Sequence, residues 1–148
     1  MSSGQILFLC TGNYYRSRYA EELFNFHARS EALAWRATSR GLAERGPPHS
    51  VGPMSRFTLE ALREKAIAPE GAERYPQSCT LADFDLAQLV IALKEAENRP
   101  LLAKRFPGWE NRVSYWHVHD LDAAKPIKAI AMMDRLVQAL IRDIKASC

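Results

Sequence analysis

Apolar positions along this chain switch repeatedly between the period of a strand and that of a helix. Residues 5–10, QILFLC, form a continuous apolar run between Gly4 and Gly12, as in a strand covered on both faces of a parallel sheet. Ser17 then stands at a helix N-cap position. The following RYAEELFNFHARS places Ala20, Leu23, Phe24 and His27 at helical spacing, with Glu21 and Glu22 in the first turns. AWRATSRG at 34–41 sets Trp35 and Ala37 on one side and predicts a second strand. Phe57, Leu59, Ala61 and Leu62 predict a helix from Met54 to Ile67, and Thr80 with Asp83 three residues on resembles a capping box before a short helix. QLVIALK at 88–94 predicts a third strand and RVSYWHV at 112–118 a fourth. Between them, EAENRPLLAKRF predicts a helix with Pro100 near its first turn or at a kink. A last helix starts near Pro126 and carries Ile130, Met133, Val137, Leu140, Ile141 and Ile144 on one face.

Strands that alternate with helices predict one α/β domain over residues 1–148: a three-layer arrangement with a four-stranded parallel sheet flanked by helices on both faces. Ligands bind such sheets beyond the carboxyl ends of the strands. Cys10 ends the first strand there, and Asp120 follows the fourth. Residues 41–53, GLAERGPPHSVGP, hold three glycines and three prolines and must be a loop, long enough to be either functional or a connector.

Composition narrows the classes. With 47% hydrophobic and 25% charged residues, the chain is that of an ordinary globular protein, not a disordered or fibrous one. The formal charge is +3, and the 20 Lys and Arg are scattered from Arg16 to Lys145, which gives no nucleic-acid footprint. The first apolar run is too short for a membrane span or a secretory segment and has no basic stretch before it, so no membrane association and a cytoplasmic location are expected. Cys10, Cys79 and Cys148 are odd in number and lack metal-type spacing, which argues against a disulfide framework and a zinc site. His117 and His119 share one side of a strand but lack third and fourth ligands at suitable spacing, so neither a metal nor another cofactor is expected.

The chemistry lies in the first loop. Five residues, TGNYY, separate Cys10 from Arg16, a C-x5-R spacing that lets backbone N–H groups of Thr11, Gly12, Asn13, Tyr14 and Tyr15 converge on one oxyanion at a helix N-terminus. Arg16 supplies a bidentate fork for two phosphate oxygens. A helix N-terminus and a nearby arginine favour the thiolate form of a cysteine, so Cys10 is the candidate nucleophile. Gly12 allows close backbone approach or positive φ, Asn13 tolerates the left-handed region, and the Ser17 hydroxyl can donate to the sulfur if it is not simply a cap.

The stretch ILFLCTGNYYRSRYAEELF resembles the opening of the low-molecular-weight protein tyrosine phosphatases, whose signature C-x-G-N-x-x-R-S falls here on Cys10, Gly12, Asn13, Arg16 and Ser17. PMSRFTLEALREKAI, TLADFDLAQLVIAL and a late strand with an acidic loop follow in the family's order. The resemblance implies a cysteine-dependent phosphatase that hydrolyses phosphate monoesters, phosphotyrosine among them, through a phosphocysteine. Its substrate would be a phosphorylated protein or a small aryl phosphate. It also implies a general acid, an aspartate in a D-P motif after the last strand. In YWHVHDLDAAKP that position falls on Asp120, with Leu121 in the proline's place, and Asp122 stays open as the alternative.

This chain departs from the family at several places. Tyr15 replaces the second cysteine that many members carry before the arginine, so Cys10 is expected to lack a protective loop partner and to oxidise irreversibly more easily, unless Cys79 or Cys148 can reach it. Tyr14 replaces a small or aliphatic residue, where a threonine accompanies phosphoarginine specificity. Arg18 replaces a proline and is expected to add positive charge at the rim, and Lys94 replaces the family's aspartate after the third strand. Two other readings share the loop: an arsenate reductase, for which a relay of two further cysteines looks incomplete, and a silent oxyanion or phosphoprotein binder. Nothing in the sequence sets the oligomeric state.

Overall fold

In the computed structural model, which describes residues 2–43, 52–118 and 126–147, four strands form a parallel sheet: β1 (Ser3–Cys10), β2 (Ala34–Gly41), β3 (Leu89–Ala92) and β4 (Ser114–Tyr115). Their order is β2-β1-β3-β4, and every pairing between them is parallel. β1 is thus central. Its neighbours run in register along it, Cys10 opposite Gly41 on one side and Ile6 opposite Leu89 on the other.

Alternation along β1 divides the core in two, as period 2 requires. Ile6, Phe8 and Cys10 face one layer, made by α1 (Arg16–Ser30), α2 (Arg56–Glu64) and α5 (Pro126–Ser147). Tyr19, Leu23 and Phe24 of α1, Leu62 of α2, and Met133, Val137 and Ile141 of α5 complete that cluster. Leu7 and Leu9 face the other layer, where Phe84 of α3 (Leu81–Leu86) and Leu102 of α4 (Glu95–Arg105) pack with Cys79 and Phe106. The expected three-layer α/β arrangement is the observed one.

Local signals mostly held. Ser55 caps α2 through its side chain, which accepts from the Phe57 N–H, and Thr80 and Asp83 form the expected capping box. Three details differ. Pro100 lies at the sixth position of α4 rather than in its first turn, where it withholds the donor that the Ala96 carbonyl would otherwise receive. β4 is two residues long; beyond Tyr115 the Trp116 and Val118 N–H groups still donate to the Ala92 and Leu93 carbonyls, and an isolated antiparallel bridge joins Lys94 to His117. A short 3₁₀ turn at Trp109–Asn111 is also present, its Trp109 ring stacked on Phe84.

Candidate active site

β1 ends at Cys10 and α1 begins at Arg16, so the five residues between them form the turn from sheet to helix. The left-handed conformation that this turn needs falls on Asn13, at φ 52°, rather than on Gly12. Asn is among the few residues that take it at modest cost. Asn13 is fully buried and uses both ends of its amide. Nδ2 donates to Ser17 Oγ and Ser39 Oγ, each at 2.9 Å, while Oδ1 accepts from the Gln77 N–H at 3.0 Å and Arg74 Nη1 at 3.2 Å. Because both groups facing Oδ1 are donors only, the orientation of the amide is fixed by chemistry.

That orientation decides what Ser17 does. It is not the cap: Tyr15 occupies that position without a side-chain capping bond, and Ser17 lies inside α1. Its Oγ accepts from Asn13 Nδ2 and stands 2.9 Å from Cys10 Sγ, which leaves the hydroxyl proton to be directed at the sulfur. The Asn13 N–H reaches the same sulfur at 3.3 Å. Cys10 is 2% exposed. It sits at the carboxyl end of the central strand, with the Ser17 hydroxyl and the Asn13 N–H aimed at its sulfur.

A second layer of polar contacts holds the loop. Ser39 Oγ donates to Glu21 Oε1 at 2.6 Å, and Arg74 Nη2 bridges Ser39 Oγ and Glu21 Oε1 at 3.1 and 3.2 Å. Burial pushes the Glu21 carboxyl up, and the Ser39 hydroxyl and Arg74 oppose that shift. Asn98 Nδ2 donates to Thr11 Oγ1 at 3.3 Å, and the Thr11 carbonyl accepts from the Leu42 and Ala43 N–H groups at 3.1 and 2.9 Å. Gly41 is pressed against this turn: a Cβ there would come within 3.1 Å of the Thr11 carbonyl oxygen and 3.2 Å of Asn13 Cβ.

Arg16 is 3% exposed, and its Nη1 donates to Glu97 Oε2 at 3.0 Å and to the Val118 carbonyl at 3.1 Å. The two tyrosines part company. Tyr14 is half-buried and its carbonyl accepts from the Ser55 N–H at 3.0 Å. Tyr15 turns into the core and meets the Phe57 ring edge-on at 6.5 Å, so its backbone is the part left to line the loop. Arg18 corrects an expectation: it adds no charge at the rim, being 0% exposed and bonded to main-chain carbonyls.

Asp120, Asp122 and His119 lie outside the described residues. Ser39, Arg74, Gln77 and Glu97 were missed by sequence reasoning. None belongs to the loop motif, and only the placement of Ser39 on the buried side of a strand hinted at a role.

The model of one protein family, low molecular weight phosphotyrosine protein phosphatase, matches residues 5–143. The chain belongs to this family. Solved structures agree with the family assignment over nearly the whole chain. A low molecular weight protein tyrosine phosphatase from T. tengcongensis is 25% identical, with a TM-score of 0.78, over 95% of this chain and 99% of that one. A YwlE mutant from Bacillus subtilis is 27% identical, with a TM-score of 0.76, over 97% and 99%. A mutant of YwlE arginine phosphatase with a phosphorylated active site serine is 25% identical, with a TM-score of 0.77, over 95% of each chain. Among curated protein sequences no match was found. Family and fold together make this low molecular weight phosphatase a cysteine-based phosphatase, a hydrolase of phosphate groups. No helix among the described residues is long and apolar enough to cross a membrane.

Proposed function

We propose that this phosphatase hydrolyses phosphate monoesters, with aryl phosphates such as phosphotyrosine as its preferred class, through a phosphocysteine on Cys10. The observation that carries the reading is the Cys10 sulfur held between the Ser17 hydroxyl and the Asn13 N–H, at the start of a helix whose first residue is Arg16. The thiolate attacks phosphorus as the bond to the leaving oxygen breaks. Arg16 and the amides of Thr11 to Tyr15 hold the remaining phosphate oxygens and stabilise the charge that develops on them. A phenolate leaves poorly, so an acid must protonate it. The same group as a base then activates water to release inorganic phosphate and restore the thiolate.

Asp120 is proposed for that acid, with Asp122 as the alternative. Asp120 lies two residues beyond Val118, whose carbonyl receives Arg16. Neither a metal nor another cofactor enters this scheme. Tyr14, half-buried within the loop, supplies an aromatic face to an aryl substrate, whereas by family resemblance a threonine there goes with phosphoarginine.

The test is p-nitrophenyl phosphate turnover by wild type, Cys10→Ser, Asp120→Ala and Asp122→Ala in the presence of a chelator. Turnover by the wild type is expected, abolished in Cys10→Ser and reduced about a hundredfold or more by loss of the acid. A wild type that is inactive with chelator, or a fully active Cys10→Ser, contradicts the scheme.

A further inference from the structure

We propose that Arg18 is a positioning residue for the phosphate loop, holding the Asn13 carbonyl away from the anion site. The proposal rests on the phosphatase reading above. Arg18 stands in the first turn of α1, two residues beyond the phosphate-binding candidate Arg16, and its side chain is completely buried. Its guanidinium meets four main-chain carbonyls. Nη1 donates to Asn13 at 3.4 Å and Pro53 at 2.9 Å, and Nη2 to Gly71 at 2.8 Å and Arg74 at 2.7 Å. A proline at this position could make none of these bonds.

Three segments are joined through that one planar group: the loop after β1, the chain entering α2, and the turn at 71–74. The 71–77 stretch closes the circuit, because Arg74 Nη1 and the Gln77 N–H both donate to Asn13 Oδ1. Both acceptor oxygens of Asn13 are thus fixed by one connected network. The consequence for the loop follows from the planar trans peptide, since the N–H of Tyr14 must point opposite to the Asn13 carbonyl. Arg18 draws the carbonyl to its own side, so the Tyr14 N–H faces away from it. The Asn13 N–H reaches the Cys10 sulfur, while the Asn13 carbonyl faces Arg18.

The arrangement is costly to build and so is specific. Burial, with Arg74 alongside, pushes the guanidinium down to about 10, while Glu21 and Glu22 act in the other direction. A buried cation needs donors satisfied: four carbonyls accept from Nη1 and Nη2, while the buried Nε has no hydrogen-bond partner among the described residues. Removing it leaves those oxygens buried without this donor and frees the Asn13 peptide to turn.

Glu22 provides the control. Its carboxylate accepts from the Glu70 and Gly71 N–H groups at 2.7 and 3.0 Å, so it anchors the same turn without touching Asn13. The experiment compares wild type, Arg18→Met, Arg18→Lys and Glu22→Gln by thermal melting, p-nitrophenyl phosphate kinetics and calorimetric binding of inorganic phosphate. Arg18→Met is expected to lose about ten- to a hundredfold in kcat/KM and a similar factor in phosphate affinity. Arg18→Lys keeps the charge but not the fork, so it should melt close to wild type and still lose about tenfold. Glu22→Gln should melt lower yet keep kcat/KM within about twofold. Should Arg18→Met fail to fold, Arg18→Lys decides. Wild-type kinetics and phosphate affinity in a folded Arg18 variant, or an equal loss in Glu22→Gln, overturns the proposal. Phosphate affinity is read without turnover, so an inactive wild type counts against the phosphatase reading and leaves this comparison standing.

Discussion

Arg16, the residue placed to grip phosphate, is already paired: its Nη1 lies 3.0 Å from Glu97 Oε2, with the arginine 3% and the glutamate 40% exposed. Glu97 stands in the first turn of α4, three residues past Lys94, where family resemblance had placed an aspartate. The carboxylate orients the fork but also offsets its charge, so an incoming dianion meets a guanidinium that is partly neutralised. Glu97→Gln keeps an acceptor and removes the charge. Competitive inhibition by inorganic phosphate should therefore strengthen by about three- to tenfold, about 1 kcal/mol for a partly screened pair, and the gain should shrink with added salt. An unchanged inhibition constant would show that Glu97 does not act on the bound anion.

Asn13 serves the site through its backbone and its amide, and two substitutions separate these roles. Glycine takes φ 52° without steric cost, whereas alanine takes it only at a cost, as Ala32 and Ala66 of this chain do at φ 55° and 59°. Both lose the four amide hydrogen bonds, so kcat/KM should fall about a hundredfold in each, while Asn13→Ala should be less stable than Asn13→Gly by about 1 kcal/mol. Turnover and urea denaturation of the two variants check this. Equal stabilities would mean that the turn relaxes when the amide is removed.

The Cys79 thiol gives a stability signal at alkaline pH. Burial pushes it from 9.0 up to about 12, with Asp83 adding to the shift and Arg105 and Arg40 opposing it. Between those values the unfolded chain loses the thiol proton while the folded one keeps it. The folded state then binds more protons, so its stability falls as pH rises, by up to about 1.4 kcal/mol per unit for this group. Tyr19, also pushed up by burial and by its bond to Asp134, acts with the same sign. Cys79→Ala should make the fall in urea stability between about pH 9 and about pH 11 shallower than in wild type. An identical slope in the two proteins would contradict the assignment.

The same cysteine bears on oxidation. Cys10 packs with Ile6 and Phe8 on one face of the sheet, and Cys79 packs with Leu7 and Leu9 on the other. The sheet stands between the two thiols, and Tyr15 occupies the place where many relatives carry the second cysteine. Graded peroxide should take Cys10 to sulfinic and sulfonic acid, with Cys79 unmodified in the folded protein. Peptide mapping checks this, and a Cys10–Cys79 disulfide in native protein would contradict it.

How much the sequence disclosed depended on the range of the interactions. β2 was legible from 34 to 41 to the residue, and the parallel sheet followed from strands alternating with helices. The candidate loop was legible too, because Cys10, Asn13, Arg16 and Ser17 act within one turn of chain. Ser17 was half-read: its capping role was a local inference, whereas its bond to sulfur needed the fold. Partners that arrive from distant segments left no local trace. Arg74 and Gln77 reach Asn13 from more than 60 residues away and Glu97 reaches Arg16 across 81. Arg18 reads as a surface cation because arginine usually is one. Only the convergence of carbonyls from residues 13, 53, 71 and 74 makes it a buried one.

The most direct test of the central claim is mass spectrometry of the wild-type protein quenched during its first turnover of p-nitrophenyl phosphate. One phosphoryl group is expected on the peptide that contains Cys10, formed and lost at rates that support steady-state turnover and accumulating further when the general acid is removed. Turnover without a phosphoryl group on Cys10 at any quench time, or with the group on another residue, would contradict it.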